Sequence, residues 1–223
     1  MTTNNINAVN VLSVFKTIRN QSILNNVSLR VEVGEFAGIY GVNGSGKSML
    51  LRVISGLVLP DSGTVHVFGN QIGRDTEFPP NLGAMIDGPG FLLDRSGLYN
   101  LQLLASIRNL ISSQHMIEVL KMVGLDPDDK RPVKTYSTGM RQRLGIAQAI
   151  MEYPKLLILD EPTSALDTNG AKQIEDVLKD MQKQGATIII VSHKASELHS
   201  LCDSIYKMNE GQLFTVDEDV KTA

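Results

Sequence analysis

The sequence of 223 residues holds a single cysteine, Cys202. That excludes an intramolecular disulfide and any metal site built from a cysteine cluster. Its four histidines are scattered, which argues against a structural zinc centre. Long apolar runs are missing as well. The longest, such as Ala186–Val191, fall far short of the roughly 18–20 residues needed to cross a bilayer. The N-terminus, MTTNNINAVN, has neither the basic n-region nor the apolar h-region of a signal peptide, so a soluble chain made in the cytosol is expected. There is no low-complexity tract, no internal repeat and no long block of like charge. Lys and Arg number 21 against 24 Asp and Glu, a net charge of −3. That near-balance argues against a surface built for broad, sequence-independent nucleic-acid binding, and no nucleic-acid partner is expected. What is present is a 42% hydrophobic content, enough for a packed core in one domain, or one domain with a subdomain.

The first ten residues are polar and Asn-rich and are expected to fray. Alternating Val27, Leu29, Val31 and Val33 predict a strand, and the apolar run Phe36 to Tyr40 predicts a buried one. A Gly-rich loop follows, then a helix over Ser48–Ile54 stopped at Gly56. Gly63 to Phe68 reads as another strand, with a turn at Gly69-Asn70. Helix-patterned segments fill the middle, near Leu98–Leu110, Gln114–Val123 and Gly139–Met151. After Pro154, Leu156–Leu159 is a compact apolar strand, followed by a helix near Gly170–Lys183 and a strand at Thr187–Val191. Alternation of apolar strands with helices predicts a largely parallel α/β sheet, with the helical middle, about 88–150, inserted into it.

Gly41-Val42-Asn43-Gly44-Ser45-Gly46-Lys47-Ser48 matches G-x-x-x-x-G-K-[ST] in full, between a predicted strand and a predicted helix. Glycines let the backbone curl so that its N–H groups point at phosphate oxygens, and the helix N-terminus adds partial positive charge. Lys47 reaches the β- and γ-phosphates, and the Ser48 hydroxyl is placed for Mg2+. Gly41, Asn43, Gly44, Ser45, Gly46, Lys47, Ser48 and Met49 are the candidate nucleotide-binding residues. Four apolar residues, Leu156 to Leu159, then deliver Asp160 and Glu161 to the sheet's C-terminal edge, where ligand sites of α/β folds lie. Asp160 is the candidate for the Mg2+ shell, and Glu161 for positioning or deprotonating the attacking water. By itself such a strand end could equally be a helix N-cap.

With these elements in place, the sequence resembles the ABC ATPases. Tyr136-Ser137-Thr138-Gly139-Met140-Arg141-Gln142-Arg143 looks like their signature motif, in the usual order and spacing before Asp160. Ser164-Ala165-Leu166-Asp167 looks like the D-loop, and Val191-Ser192-His193 like the switch histidine at a strand end. The resemblance runs from about Val27 to Leu213. The YSTGM spelling, the GMRQRLGIA run and the segment Leu82 to Phe91 are similar to ATPase subunits of bacterial exporters for bacteriocins, lantibiotics and peptide antibiotics.

That resemblance implies an α/β P-loop NTPase with a mostly parallel core sheet, an antiparallel β subdomain and an inserted helical subdomain. Residues 1–223 would be one ABC ATPase domain, with its nucleotide-binding core at about 1–87 and 151–223 and its helical subdomain at about 88–150. It implies ATP and Mg2+ as ligands, and a head-to-tail dimer with itself or a similar chain. Ser137, Thr138, Gly139 and Met140 would act on the partner's ATP, although Ser137 can also be an ordinary helix cap. Asp167 would belong to the D-loop, and His193 would contact the γ-phosphate and orient Glu161. It also implies a separate transmembrane permease, with this chain cytoplasmic and peripheral on the inner face of the membrane.

Two positions depart from the family pattern. The family stacks adenine on an aromatic residue, whereas alignment puts Ile18 there with Phe15 the nearest aromatic, so weaker base selectivity is expected. Asp87 stands where the Q-loop glutamine would be. It is either a Mg2+ ligand or a loop aspartate before Gly-Pro. His66, His115 and His199 match nothing and read as surface or packing residues, and Met140 and Met151 as core. The rival within the family is a non-transport ATPase of the iron–sulfur assembly type. A DNA-repair member would need a long coiled-coil insertion, for which the stretch from Ser48 to Ser137 is too short.

Overall fold

A computed structural model of the protein describes residues 7–88 and 90–216. The chain runs β1 (Asn7–Ile18), β2 (Gln21–Glu32), β3 (Phe36–Tyr40), α1 (Lys47–Ile54), β4 (Ser62–Val67), β5 (Asn70–Gln71) and β6 (Leu82–Met85). It continues through α2 (Gly97–Arg108), α3 (Ser113–Met122), α4 (Thr138–Ile150), β7 (Leu156–Asp160), α5 (Thr168–Lys183), β8 (Thr187–Ser192), α6 (Ala195–His199), β9 (Ser204–Asn209) and β10 (Gln212–Thr215). Six strands form one sheet in the order β10-β9-β3-β8-β7-β6, parallel except where β10 pairs with β9. A second, antiparallel sheet has the order β2-β1-β4-β5. This is the expected α/β class, with the antiparallel sheet beside the mostly parallel one.

Apart from Asp160, Thr187 and Ser192 at their ends, the central strands β7 and β8 are apolar because both of their faces are covered. Successive side chains alternate between two cores. Ala37, Ile39, Leu156, Ile158, Ile189 and Val191 pack with the antiparallel sheet and α1. Phe36, Leu157, Leu159, Ile188 and Ile190 pack on the opposite face, with residues of α2 to α5. Each such Val, Leu, Ile or Phe side chain contributes roughly 1.5–3 kcal/mol by leaving water. Helix α4 rests directly on β6. A Cβ at Gly83 would meet the Ala149 carbonyl at 2.0 Å, so only glycine permits this approach. The lone Cys202 is buried against Gly38, and burial pushes its thiol pKa up.

Several expectations need correcting. Residues 7–10, read as fraying, belong to β1, which pairs with both β2 and β4. Ala8 and Val9 are fully buried between half-buried Asn7 and Asn10, so the asparagines mask a buried strand end. Residues 1–6 of that stretch, and Pro89 of the Leu82–Phe91 segment, lie outside the described residues. Val33 falls beyond β2 and is exposed, because the chain turns at Gly34. Leu110 likewise lies past α2, which ends on Asn109 in the left-handed region. Met140 is only partly buried, unlike Met151. Strands β1, β5, β6, β9 and β10 and the short α6 are additional to the sequence reading, and Asn70, read as part of a turn, opens β5. Among the described residues no helix is long and apolar enough to cross a membrane.

Candidate nucleotide site

Neighbouring strands β3, β8, β7 and β6 all point their C-terminal ends the same way, so the loops leaving them converge at one sheet edge. The loop after β3 carries Gly41 to Gly46 and runs into α1. Gly46 sits at φ 111°, and a Cβ there would meet the Ile23 carbonyl at 2.8 Å, which makes glycine obligatory. It caps α1 with no side-chain cap, and the first intrahelical bond is Leu50 N–H to the Gly46 carbonyl. The amides of Lys47, Ser48 and Met49 therefore lie in the first turn, where helices leave N–H groups for an anion. The side chain of Met49 is buried in the core, so only its amide serves the loop. Asn43 and Gly44 are exposed at the loop tip.

Lys47 is only 5% exposed. Its Nζ donates to the carbonyls of Gly41 (2.7 Å) and Val42 (2.9 Å), which staples the loop. Burial holds its ammonium below the usual lysine range, against the opposing pull of Glu161 and Asp160. Ser45 is buried and its hydroxyl oxygen has no hydrogen-bond partner. An unmet polar group inside a loop of inward amides fits a phosphate oxygen.

Asp160 ends β7, paired with Val191 of β8. Burial pushes its carboxyl pKa up. The charges of Glu161 and Asp87 push the same way, and the Ser48 hydroxyl and Lys47 oppose them. The Ser48 hydroxyl thus lies beside the Asp160 carboxylate, an oxygen pair a hard divalent cation would take. These residues fit Mg2+.

Glu161 follows in the left-handed region at φ 47°. Its N–H donates to the Val191 carbonyl (2.9 Å), and its carbonyl accepts from Ser164 and from Gln142 Nε2 (2.9 Å). The carboxylate, 33% exposed, lies 3.5 Å from Nδ1 of His193, which follows β8. The expected pair of Glu161 and His193 is therefore brought together, beside Asp160 and the phosphate loop.

Ser137 caps α4, its Oγ accepting from the Met140 amide at 3.1 Å. Ser137 and Thr138 are exposed, so the helix end is open to a second molecule, and Gly139 lies against the Ala165 carbonyl. Asp167 caps α5 by accepting from the Gly170 amide at 2.9 Å. Asp87 leaves β6 at φ 60°, and its Oδ2 accepts from Arg52 Nε (2.8 Å) and Nη2 (2.5 Å). Its carboxylate is thus engaged by the last turn of α1, not by Ser48 or Asp160, although it lies near enough to raise the Asp160 pKa. Ile18 and Phe15 are exposed near the end of β1. The hairpin they belong to passes the phosphate loop at Ile23. His115, unassigned in sequence, stacks on Tyr153.

Two partners carry no local signal. Arg52 is drawn in by Asp87 across the sheet edge, and Gln142, quoted within the signature run, reaches Glu161 from another element.

The sequence matches the family model described as ABC transporter over residues 24–164. It is 40% identical over 210 residues to the uncharacterized ABC transporter ATP-binding protein YybJ of Bacillus subtilis, covering 94% of this chain and 96% of that one. The lantibiotic transport ATP-binding protein SrtF of Streptococcus pyogenes is 36% identical over 204 residues, 91% of this chain and 87% of SrtF. Some relatives are longer: the chain spans 63% of the bacitracin transport ATP-binding protein BcrA of Enterococcus faecalis, at 38% identity over 86% of this chain. Among solved structures, the dimeric post-hydrolysis state of the ATP-binding cassette MJ0796 bound to ADP and Pi is similar, with TM-score 0.84 and 25% identity. That match covers 94% of this chain and 99% of the other. The chain therefore belongs to the ABC transporter family, among its ATP-binding proteins.

Proposed function

We propose that this chain is the ATP-hydrolysing subunit of a bacterial ABC exporter of the peptide-antibiotic kind. It works as a head-to-tail dimer on a separate transmembrane permease, at the cytoplasmic face of the membrane. One observation carries the reading: Lys47, Ser48, Asp160, Glu161 and His193 meet at one sheet edge, while Ser137 opens outward on α4. The relatives named for transport of lantibiotics and bacitracin support the exporter assignment.

Lys47 and the loop amides hold the β- and γ-phosphates, with Ser45 filling its unmet hydrogen bond there. Ser48 and Asp160 would hold Mg2+, which supplies charge neutralisation as the γ-phosphoryl group transfers. Glu161 accepts a proton from water as the water oxygen bonds to γ-phosphorus and the bond to ADP breaks, giving ADP and phosphate. His193, 3.5 Å from Glu161, keeps that carboxylate aimed. Ser137, Thr138, Gly139 and Met140 face the partner's γ-phosphate, and Asp167 fixes the D-loop at the start of α5. Asp87 would help hold Mg2+ only if it left Arg52. Ile18 and Phe15 give the base an apolar edge. The helical segment, about 88–150, carries the stroke to the permease.

Affinity purification of the tagged chain from detergent-solubilised host membranes tests the partner. A polytopic membrane protein should accompany it, and its recovery should depend on the 88–110 region. Recovery only with soluble assembly proteins would support the iron–sulfur type and contradict an exporter.

A further inference from the structure

We propose that Gln142 is a positioning residue that tethers the helix bearing Ser137 to the backbone of Glu161 in the same chain, and so couples the two nucleotide sites of a dimer. This rests on the function proposed above.

Glu161 occupies a left-handed backbone region, φ 47°, that disfavours a residue with a Cβ. The surrounding hydrogen bonds must therefore hold it there. Its N–H is held by Val191 in β8. Its carbonyl is held by Ser164 from its own turn, through the amide at 3.3 Å and Oγ at 3.0 Å. The remaining donor is Gln142 Nε2 at 2.9 Å, the one contribution from a separate helix. The orientation of this peptide sets where the Glu161 carboxylate points.

Gln142 stands five residues into α4 from its cap, about 7–8 Å along the axis. The same helix thus carries two things at fixed distance: an exposed end at Ser137 and Thr138, and a tether to Glu161. Gly139 adds a second close approach, to the Ala165 carbonyl just past Glu161. In a head-to-tail dimer, Ser137 touches the partner's ATP while Glu161 of the same chain serves its own. A displacement of α4 by one nucleotide is therefore transmitted to the base acting on the other. No bond needs to cross the interface for this coupling.

Steady-state ATPase titrations of the full chain test it. Gln142→Glu keeps the side chain's length and shape but puts an acceptor where the donor was. Losing a net hydrogen bond and gaining carboxylate–carbonyl repulsion should lower kcat about tenfold. The Hill coefficient for ATP should fall toward 1, while the Kd for ATP and the thermal midpoint stay near the parent's. Gln142→Lys restores a donor and should recover most of kcat and of the cooperativity. Should Gln142→Glu fail to fold, Gln142→Leu reads the same quantities. Parent-like kcat and Hill coefficient in the donor-less variants would overturn the inference, as would equal losses in Gln142→Lys, which would indicate packing alone. A parent protein with no ATP turnover would overturn the proposed function and this inference with it.

Discussion

Glu161→Gln should lose at least a hundredfold in ATP turnover while binding Mg-ATP as the parent does. The substitution keeps volume and removes only the capacity to take a proton, a step worth typically 10²–10⁴ in rate. The fold gives little reason for collateral damage. The Glu161 backbone is fixed by Val191, Ser164 and Gln142, whose hydrogen bonds go to its N–H and carbonyl. The carboxylate itself meets His193 at 3.5 Å, and an amide can occupy the same space. Removing one negative charge also relieves the crowding that raises the Asp160 pKa, which favours nucleotide retention. Phosphate release against time, beside a titration with a fluorescent ATP analogue, separates the two quantities. Turnover close to the parent rate would remove Glu161 from the chemistry.

Lys47→Ala acts on binding itself, and its effect should be of similar size. The ammonium is buried, and its pKa is lowered by that burial, so water offers it little. A triphosphate entering the loop would find its charge opposed only by amide dipoles. Leaving a buried charge without its partner costs about 3–5 kcal/mol, so ATP affinity should fall by two orders of magnitude or more. Part of the loss is structural. Nζ also ties Gly41 and Val42 together, and the loop loses both bonds with the side chain. Calorimetric titration with Mg-ATP measures the affinity, and a melting curve reports any loosening. Lys47→Arg keeps the charge but not the compact head, so it should regain only part of the affinity. An unchanged Kd in Lys47→Ala would refute the assignment.

The sequence alone exposes what local patterning controls. Phe36–Tyr40, Leu156–Leu159 and Ile188–Val191 are legible as strand segments because both faces of each are buried, so they form unbroken runs without a charged residue. The phosphate loop is legible because its chemistry fits in eight consecutive residues. Asp160 and Glu161 stand out as charges at the end of an apolar run. The strand Leu82–Met85 is not legible: Gly83 and Ala84 have little β preference, and pairing with β7 and contact with α4 decide the matter. Strand β1 hides behind its asparagines for the same reason, since pairing on both sides overrides composition. The partners of site residues are hidden more deeply. Arg52 and Asp87 meet across 35 positions, and Gln142 reaches Glu161 across 19. Nothing in the intervening residues signals either contact. The left-handed backbone of Glu161 is equally invisible, because a β-strand end gives no hint that the next residue turns that way.

The most direct test is the light-scattering mass of Glu161→Gln with and without Mg-ATP. Two copies closed on two nucleotides should double the mass with ATP and return to the single-chain value with ADP. Adding Ser137→Arg should abolish the doubling, because the bulk and charge land where the partner's γ-phosphate must seat against the open end of α4. A mass that stays at one chain at every ATP concentration, with ATP nonetheless bound, would contradict the clamp between two copies.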